Sequence, residues 1–137
     1  MLTAEHLAFI ETQRVARLAT ADASGLPHVV PVCFAYHDGA FWVAIDEKPK
    51  RTTQLKRLRN IAGDAAVTLL FDRYADDWTR LAYVMVRGKA EVFAGADHPG
   101  ALAALRARYP QYGGMTLEER PLIGVRPESA FGWGALG

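Results

Sequence analysis

The chain has 137 residues, half of them hydrophobic, with three Trp, five Tyr and six Phe, so it can bury a real core and is not intrinsically disordered. Its formal net charge of +1 supplies no global drive toward nucleic acid or an anionic membrane surface. A single cysteine, Cys33, excludes an intramolecular disulfide, and its apolar surroundings suit a buried thiol.

In chain order, Thr3 to Gln13 predicts a short helix capped by Thr3, with Leu7, Ala8 and Ile10 apolar. Met1 to Gln13 carries Glu5 and Glu11 and no basic flank before an apolar stretch, which predicts no signal peptide. No apolar run approaches the roughly 20 residues of a membrane helix. The expectation is a soluble, cytoplasmic chain.

Val15 to Ala21 predicts a strand, and Asp22-Ala23-Ser24-Gly25 a turn. His28 to Tyr36 predicts one long second strand, rich in Val and aromatics. His37-Asp38-Gly39 is a hairpin signal, because Asp-Gly accepts the positive φ angles of a tight turn. Ala40 to Asp46 follows as a third strand. Thr52 to Ala62 has helical period, with Leu55, Leu58 and Ile61 on one face. Val67 to Phe71 is an apolar strand, and Asp72 to Arg80 a polar loop containing Asp76-Asp77-Trp78. Leu81 to Phe93 predicts a long strand bent at Gly88. An Ala- and Leu-rich helix over His98 to Tyr109 and a final strand over Leu122 to Phe131, weakened by Pro127, complete the order.

Six strands joined mostly by hairpins, with about three helices, predict a mainly β (α+β) chain: a largely antiparallel barrel in one domain spanning residues 1–137.

The stretch from Asp46 to Thr53 breaks a local rule. Lys48, Lys50 and Arg51 stand before a helix that starts near Thr52, where the helix dipole favours acids by about 0.3–1 kcal/mol each. A bound phosphate would resolve the conflict by accepting from Lys50, Arg51, the Thr52 hydroxyl and first-turn amides. A solvated basic loop neutralised by Asp46 and Glu47 is the competing explanation. A nucleic-acid patch extended by Lys56, Arg57 and Arg59 is a third, but no aromatic residue interleaves with these cations.

Several runs together resemble the pyridoxamine-phosphate-oxidase-like split β-barrel superfamily. They are Val15-Ala16-Arg17-Leu18-Ala19-Thr20-Ala21-Asp22, Gly25-Leu26-Pro27-His28-Val29-Val30-Pro31-Val32, the Asp46 to Arg51 segment, and Asp64-Ala65-Ala66-Val67-Thr68-Leu69-Leu70. The loop Asp72 to Trp78, followed by Leu81 and Tyr83-Val84, is similar to a subgroup of probable enzymes dependent on the deazaflavin coenzyme F420. The likeness runs from about Val15 to Phe93.

The resemblance implies a homodimer with two cofactors at the subunit interface. Lys50 and Arg51 match its phosphate-binding pair. Val30, Pro31, Val32, Cys33 and Phe34 match the strand whose backbone runs along the flavin ring. Val43 and Ala44 match the neighbouring strand on the phosphate side. Trp78 and Trp133 are candidates to stack on a cofactor across the dimer, against ordinary packing. Where true pyridoxamine-phosphate oxidases carry an Arg and a Lys that help hold FMN phosphate, this chain has Val30 and Ala35. Those departures, and the missing basic residues at the chain's end, argue against vitamin B6 oxidation and weaken FMN.

The implied activity is hydride transfer between reduced F420 and a small electron-poor acceptor. FMN is the alternative cofactor, and a non-catalytic F420- or heme-binding protein is the second alternative. Such chemistry belongs to the cofactor and needs no side-chain nucleophile. The histidines His6, His28, His37 and His98 lack metal-ligand spacing, and Asp72, Asp76 and Asp77 suit a solvated loop or a partner subunit's cations better than a metal. His28 is the histidine whose position matches the family's ring side.

Overall fold

The structure, a computed structural model, describes residues 1–45 and 52–137, with the backbone alone for 52–55. Its elements are α1 (Ala4–Glu11), β1 (Ala16–Ala21), β2 (Pro27–Val32), β3 (Ala35–His37), β4 (Ala40–Ala44), α2 (Thr52–Gly63), β5 (Ala66–Arg73), β6 (Ala82–Ala94), α3 (Pro99–Arg108) and β7 (Pro121–Gly134). All pairings are antiparallel in one seven-stranded sheet of order β2-β1-β5-β6-β7-β4-β3.

The sheet curls because its two edges are consecutive in the chain. β2 and β3 lie at opposite ends of the strand order, yet only Cys33 and Phe34 separate them. Two residues cannot bridge the width of a flat seven-stranded sheet, which at about 4.8 Å per strand is close to 30 Å. The edges therefore meet at this corner without pairing, which makes the barrel a split one. The expectation of six strands counted His28 to Tyr36 as one. The structure breaks it in two because Phe34 turns inward while its backbone leaves the ladder. The Phe34 amide donates instead to the Tyr109 hydroxyl at 3.1 Å, and that hydroxyl donates to the Arg14 carbonyl at 2.8 Å. The Arg108 guanidinium lies 4.6 Å from the centre of the Phe34 ring. The end of α3 thus holds the corner.

Local chemistry sets the remaining boundaries. Thr3 caps α1 by accepting from the His6 amide, and the His6 side chain accepts from the Thr3 amide. Asp38 and Gly39 both adopt positive φ, 53° and 79°, as a two-residue hairpin requires. The β6–β7 ladder shifts register at Gly88: Arg87 opposes Ser129 while Gly88 opposes Pro127, leaving Glu128 as the extra residue of a bulge. Pro127, which has no amide to donate, stands at that break. The strand resumes beyond it, so β7 reaches Gly134 and outruns the predicted end at Phe131.

Two cores result. Inside the barrel, Leu18, Phe34, Phe41, Val43, Leu69, Phe71, Val84 and Ile123 pack with Phe9 and Ile10 of α1. Outside it, α3 covers β3 and β4, burying Leu102 and Leu105 against Trp42 and Ala44. This is why every residue of β4 from Phe41 to Ala44 is buried: its two faces serve different cores.

Candidate functional site

Among the described residues, none covers the far face of the sheet in this way. Across β2-β1-β5-β6-β7 one row reads Pro31, Arg17, Leu70, Met85, Phe131, and the row beside it Asp72, Tyr83, Trp133. Phe131 and Trp133 remain 53% and 49% exposed, and the Tyr83 and Trp133 rings stack at 5.8 Å. Next to this apolar band, toward the bulge, the third row Val29, Ala19, Thr68, Arg87, Ser129 turns small and polar.

There the surface sinks into a cleft of about 360 Å³ lined by residues of β1, β5 and β6 and by Glu128 of the bulge. Ala19, Ala21, Ala66 and Thr68 contribute only short side chains, while Arg87 and Glu128 bring charge. The bulge has a part in this shape, because it displaces Glu128 from the regular ladder at the point where the cleft forms.

α2 docks at the same end of the sheet. Buried Asn60 donates from Nδ2 to the Thr20 hydroxyl at 3.0 Å, and Thr20 is itself a cleft residue. One helical turn earlier, Lys56 lies 3.6 Å from the Asp22 carboxylate. The helix therefore runs antiparallel to β1, and its first residue, Thr52, directly follows the run Lys48 to Arg51 in the chain. Lys50 and Arg51 lie outside the described residues, as does the side chain of Thr52.

Asp22 organises the β1–β2 turn. Its Oδ1 accepts from the Ser24 hydroxyl, the Ser24 amide and the Leu26 amide, and Gly25 takes a φ of 88°. These bonds, the Ser24 hydroxyl first, hold the carboxyl at a pKa of about 2, below its ordinary 3.8. A carboxylate with a lowered folded-state pKa stabilises the fold above its ordinary pKa and loses that contribution as pH falls through the folded value. Asp22→Asn is accordingly expected to flatten the decline of thermal stability between about pH 4 and pH 2. Melting curves across that window check it; an unchanged slope would place acid sensitivity elsewhere.

The other predicted site residues fall in separate places. Val32, Phe34 and Val43 are sealed in the barrel core, with Val30 partly buried against it. Ala44 and the half-buried Cys33 belong to the outer core under α3. Pro31 is exposed on the open face. A ligand can reach this segment through backbone groups, because β2 and β3 are edge strands with one unpaired side each. Trp78 is 72% exposed at the tip of the β5–β6 hairpin, the opposite end of the sheet face from the cleft. His28 packs beside Thr20 in the β1–β2 register, and its Nδ1 is buried with no hydrogen-bond partner among the described residues.

Sequence reasoning missed the cleft residues Ala19, Ala21, Ala66, Thr68, Arg87 and Glu128. The signal the sequence offered was Arg87-Gly88, which ends the apolar first half of β6. Among the described residues no three of His, Cys, Asp and Glu gather as a metal site would need, and no helix is long and apolar enough to cross a membrane.

Comparison with known proteins bears on the fold and the family. No curated protein matches the chain. Among solved structures, the heme storage protein HutZ from Vibrio cholerae is similar at 19% identity with a TM-score of 0.74, covering 95% of this chain and 93% of its own. A heme-binding protein from Mycobacterium smegmatis matches at 20% identity and a TM-score of 0.75, over 98% of this chain and 55% of its own. An F420 reductase matches at 25% identity and a TM-score of 0.65, over 90% of this chain and 94% of its own. The family model for pyridoxamine 5'-phosphate oxidase matches residues 2–134, so the chain belongs to that family and has its split-barrel fold.

Proposed function

We propose that this protein binds the deazaflavin F420 and passes a hydride between the reduced cofactor and a small electron-poor acceptor, working as a homodimer. The observation that carries the reading is the cleft: a short-side-chain floor beside α2, whose N-terminus is preceded by Lys50 and Arg51, opening onto an apolar face left open by the described residues. Small residues leave room for a flat ring to lie close to the sheet. Lys50, Arg51 and Thr52 are assigned to its phosphate, the backbone from Val30 to Phe34 to the ring edge, and Val43 and Ala44 to the neighbouring strand. The bound cofactor supplies the hydride chemistry; the protein binds, orients and excludes water. The 25% identity with an F420 reductase, nearly end to end, supports this choice.

FMN is the alternative, disfavoured by Val30 and Ala35. A heme carrier is the second reading. Two heme proteins share the fold, and His28 offers a ring nitrogen without a hydrogen-bond partner among the described residues.

The deciding experiment titrates purified protein with F420, FMN and hemin in parallel. Shifted F420 fluorescence at low micromolar concentration, with weaker FMN uptake and no Soret band, is the expected result. Tighter binding of FMN or hemin would replace the assignment.

A further inference from the structure

Among the described residues, one cation stands in the apolar band of the open face. Arg17 occupies the row Pro31, Arg17, Leu70, Met85, Phe131, with Pro31 on one side and Leu70 on the other. Its chain neighbours Ala16 and Leu18 are buried in the barrel core, so the alternation of the strand sends the Arg17 side chain to the open face. Next along β1 on that face comes Ala19 of the cleft. The Arg17 side chain keeps 45% of its surface exposed.

Its guanidinium is uncommitted. Its ion-pair partner is Asp72, whose Oδ1 lies 4.0 Å from Arg17 Nη1, beyond hydrogen-bond reach. That Oδ1 is buried with no hydrogen-bond partner among the described residues. Asp72 thus draws the guanidinium toward itself without filling its donors, and Pro31, Leu70 and Ala19 carry no side-chain acceptor. An exposed pair at this distance adds little to stability, so folding does not account for a cation in this place.

A guanidinium presents parallel N–H donors that match a carboxylate as a planar fork. Sites for small organic molecules combine an apolar surface with a few polar groups that fix orientation. Here Arg17 is the polar group, and Leu70, Met85 and Phe131 continue the same row as the apolar surface. The three strand spacings from Arg17 to Phe131 make about 14 Å, enough for a flat acid laid across the strands. Pro31, the direct cross-strand partner of Arg17, belongs to the segment assigned to the ring edge. An acid gripped by Arg17 therefore lies beside that segment.

We infer that Arg17 is a substrate-binding residue, and that the acceptor is a flat, apolar carboxylic acid with a double bond conjugated to its carboxylate. The pairing also serves the reaction. The charge of a free carboxylate makes the conjugated double bond a poor hydride acceptor, and the guanidinium offsets that charge. The carbon farther from the carboxylate accepts a hydride, with its electron pair, from the reduced cofactor. The electrons of the double bond move onto the nearer carbon and the carboxylate, and a proton from water then adds to the nearer carbon. The acid gains one hydride and one proton; the reduced cofactor is oxidised by two electrons and yields the matching proton to solvent. The redox step rests on the proposed F420 chemistry; the binding of an acid by Arg17 does not.

Calorimetric titration without cofactor tests the binding. trans-Cinnamate is expected to bind wild-type protein about tenfold tighter than cinnamamide, its neutral isostere. Arg17→Ala should remove that preference by weakening the acid alone. Arg17→Lys, which keeps the charge without the fork, should retain only part of it. Both variants should melt as wild type does, because the side chain is exposed and its ion pair is long. Equal affinity for acid and amide in wild type, binding of neither, or a preference that persists in Arg17→Ala would each overturn the inference. A second arm adds reduced F420 and follows its oxidation by cinnamate. Turnover that is lost in Arg17→Ala while F420 affinity is unchanged is expected; protein that binds F420 and prefers the acid but leaves it unreduced overturns the acceptor class. Protein that prefers the acid yet ignores F420 would defeat the cofactor assignment and leave Arg17 as an acid-binding residue.

Discussion

Replacing Lys50 and Arg51 together by alanine is expected to weaken F420 binding by roughly a hundredfold or more while leaving the fold intact. The magnitude follows from two charge-assisted contacts to one phosphate, each worth about 1.5–3 kcal/mol. The sign of the stability change makes the prediction sharp. Both cations precede α2, whose N-terminus is electropositive, so their removal relieves a repulsion of about 0.3–1 kcal/mol each. Melting temperature should stay level or rise slightly as affinity collapses. Fluorescence titration and thermal unfolding of the same samples read both quantities. A double variant that binds F420 as tightly as wild type would remove the phosphate site from this segment and leave the run as a solvated basic loop.

The largest effect on stability is expected at the barrel corner. Phe34 is wholly buried, meets Phe71 edge-on at 4.9 Å and Phe41 at 6.4 Å, and lies under Arg108. Truncation to alanine removes the ring and leaves a cavity that the surrounding core cannot readily fill, at a cost of about 3–5 kcal/mol. Native domains hold only about 5–15 kcal/mol in all, so Phe34→Ala should lower the melting temperature by about 10–15 °C. The damage should reach the ligand segment too, because Phe34 fixes the path of Val30 to Ala35. Phe34→Leu, which keeps most of the volume, should recover the greater part of the loss. A Phe34→Ala protein that melts within 2–3 °C of wild type would mean that Tyr109 and Arg108 hold the corner without the ring.

Much of this architecture was legible in the residues themselves. Asp38-Gly39 dictated a hairpin and adopts one, because few residue pairs tolerate two successive positive φ angles. Thr3 announced the cap of α1, and Gly88 the irregularity in β6. The break at Cys33-Phe34 was not legible. The run from His28 to Tyr36 is mostly apolar, with three Val and the aromatic Phe34 and Tyr36, and nothing local says that Tyr109, 75 residues later, will take the Phe34 amide out of the ladder. The cleft was hidden for a related reason. Alanine at positions 19, 21 and 66 looks like ordinary strand filler until the register aligns those positions across neighbouring strands. The cationic run was found because it violates an electrostatic rule within a few residues, and such conflicts are readable without a fold.

The strand order also bears on how the chain is made. β4 pairs with β3 on one side and finds its other ladder partner only in β7, with Phe41 opposite Val125. During synthesis at about 5–20 residues per second, the β3–β4 hairpin must wait several seconds with an unpaired flank before its neighbour leaves the ribosome. Until then Phe41 and Trp42 lack the cover that β7 and α3 give them in the finished barrel.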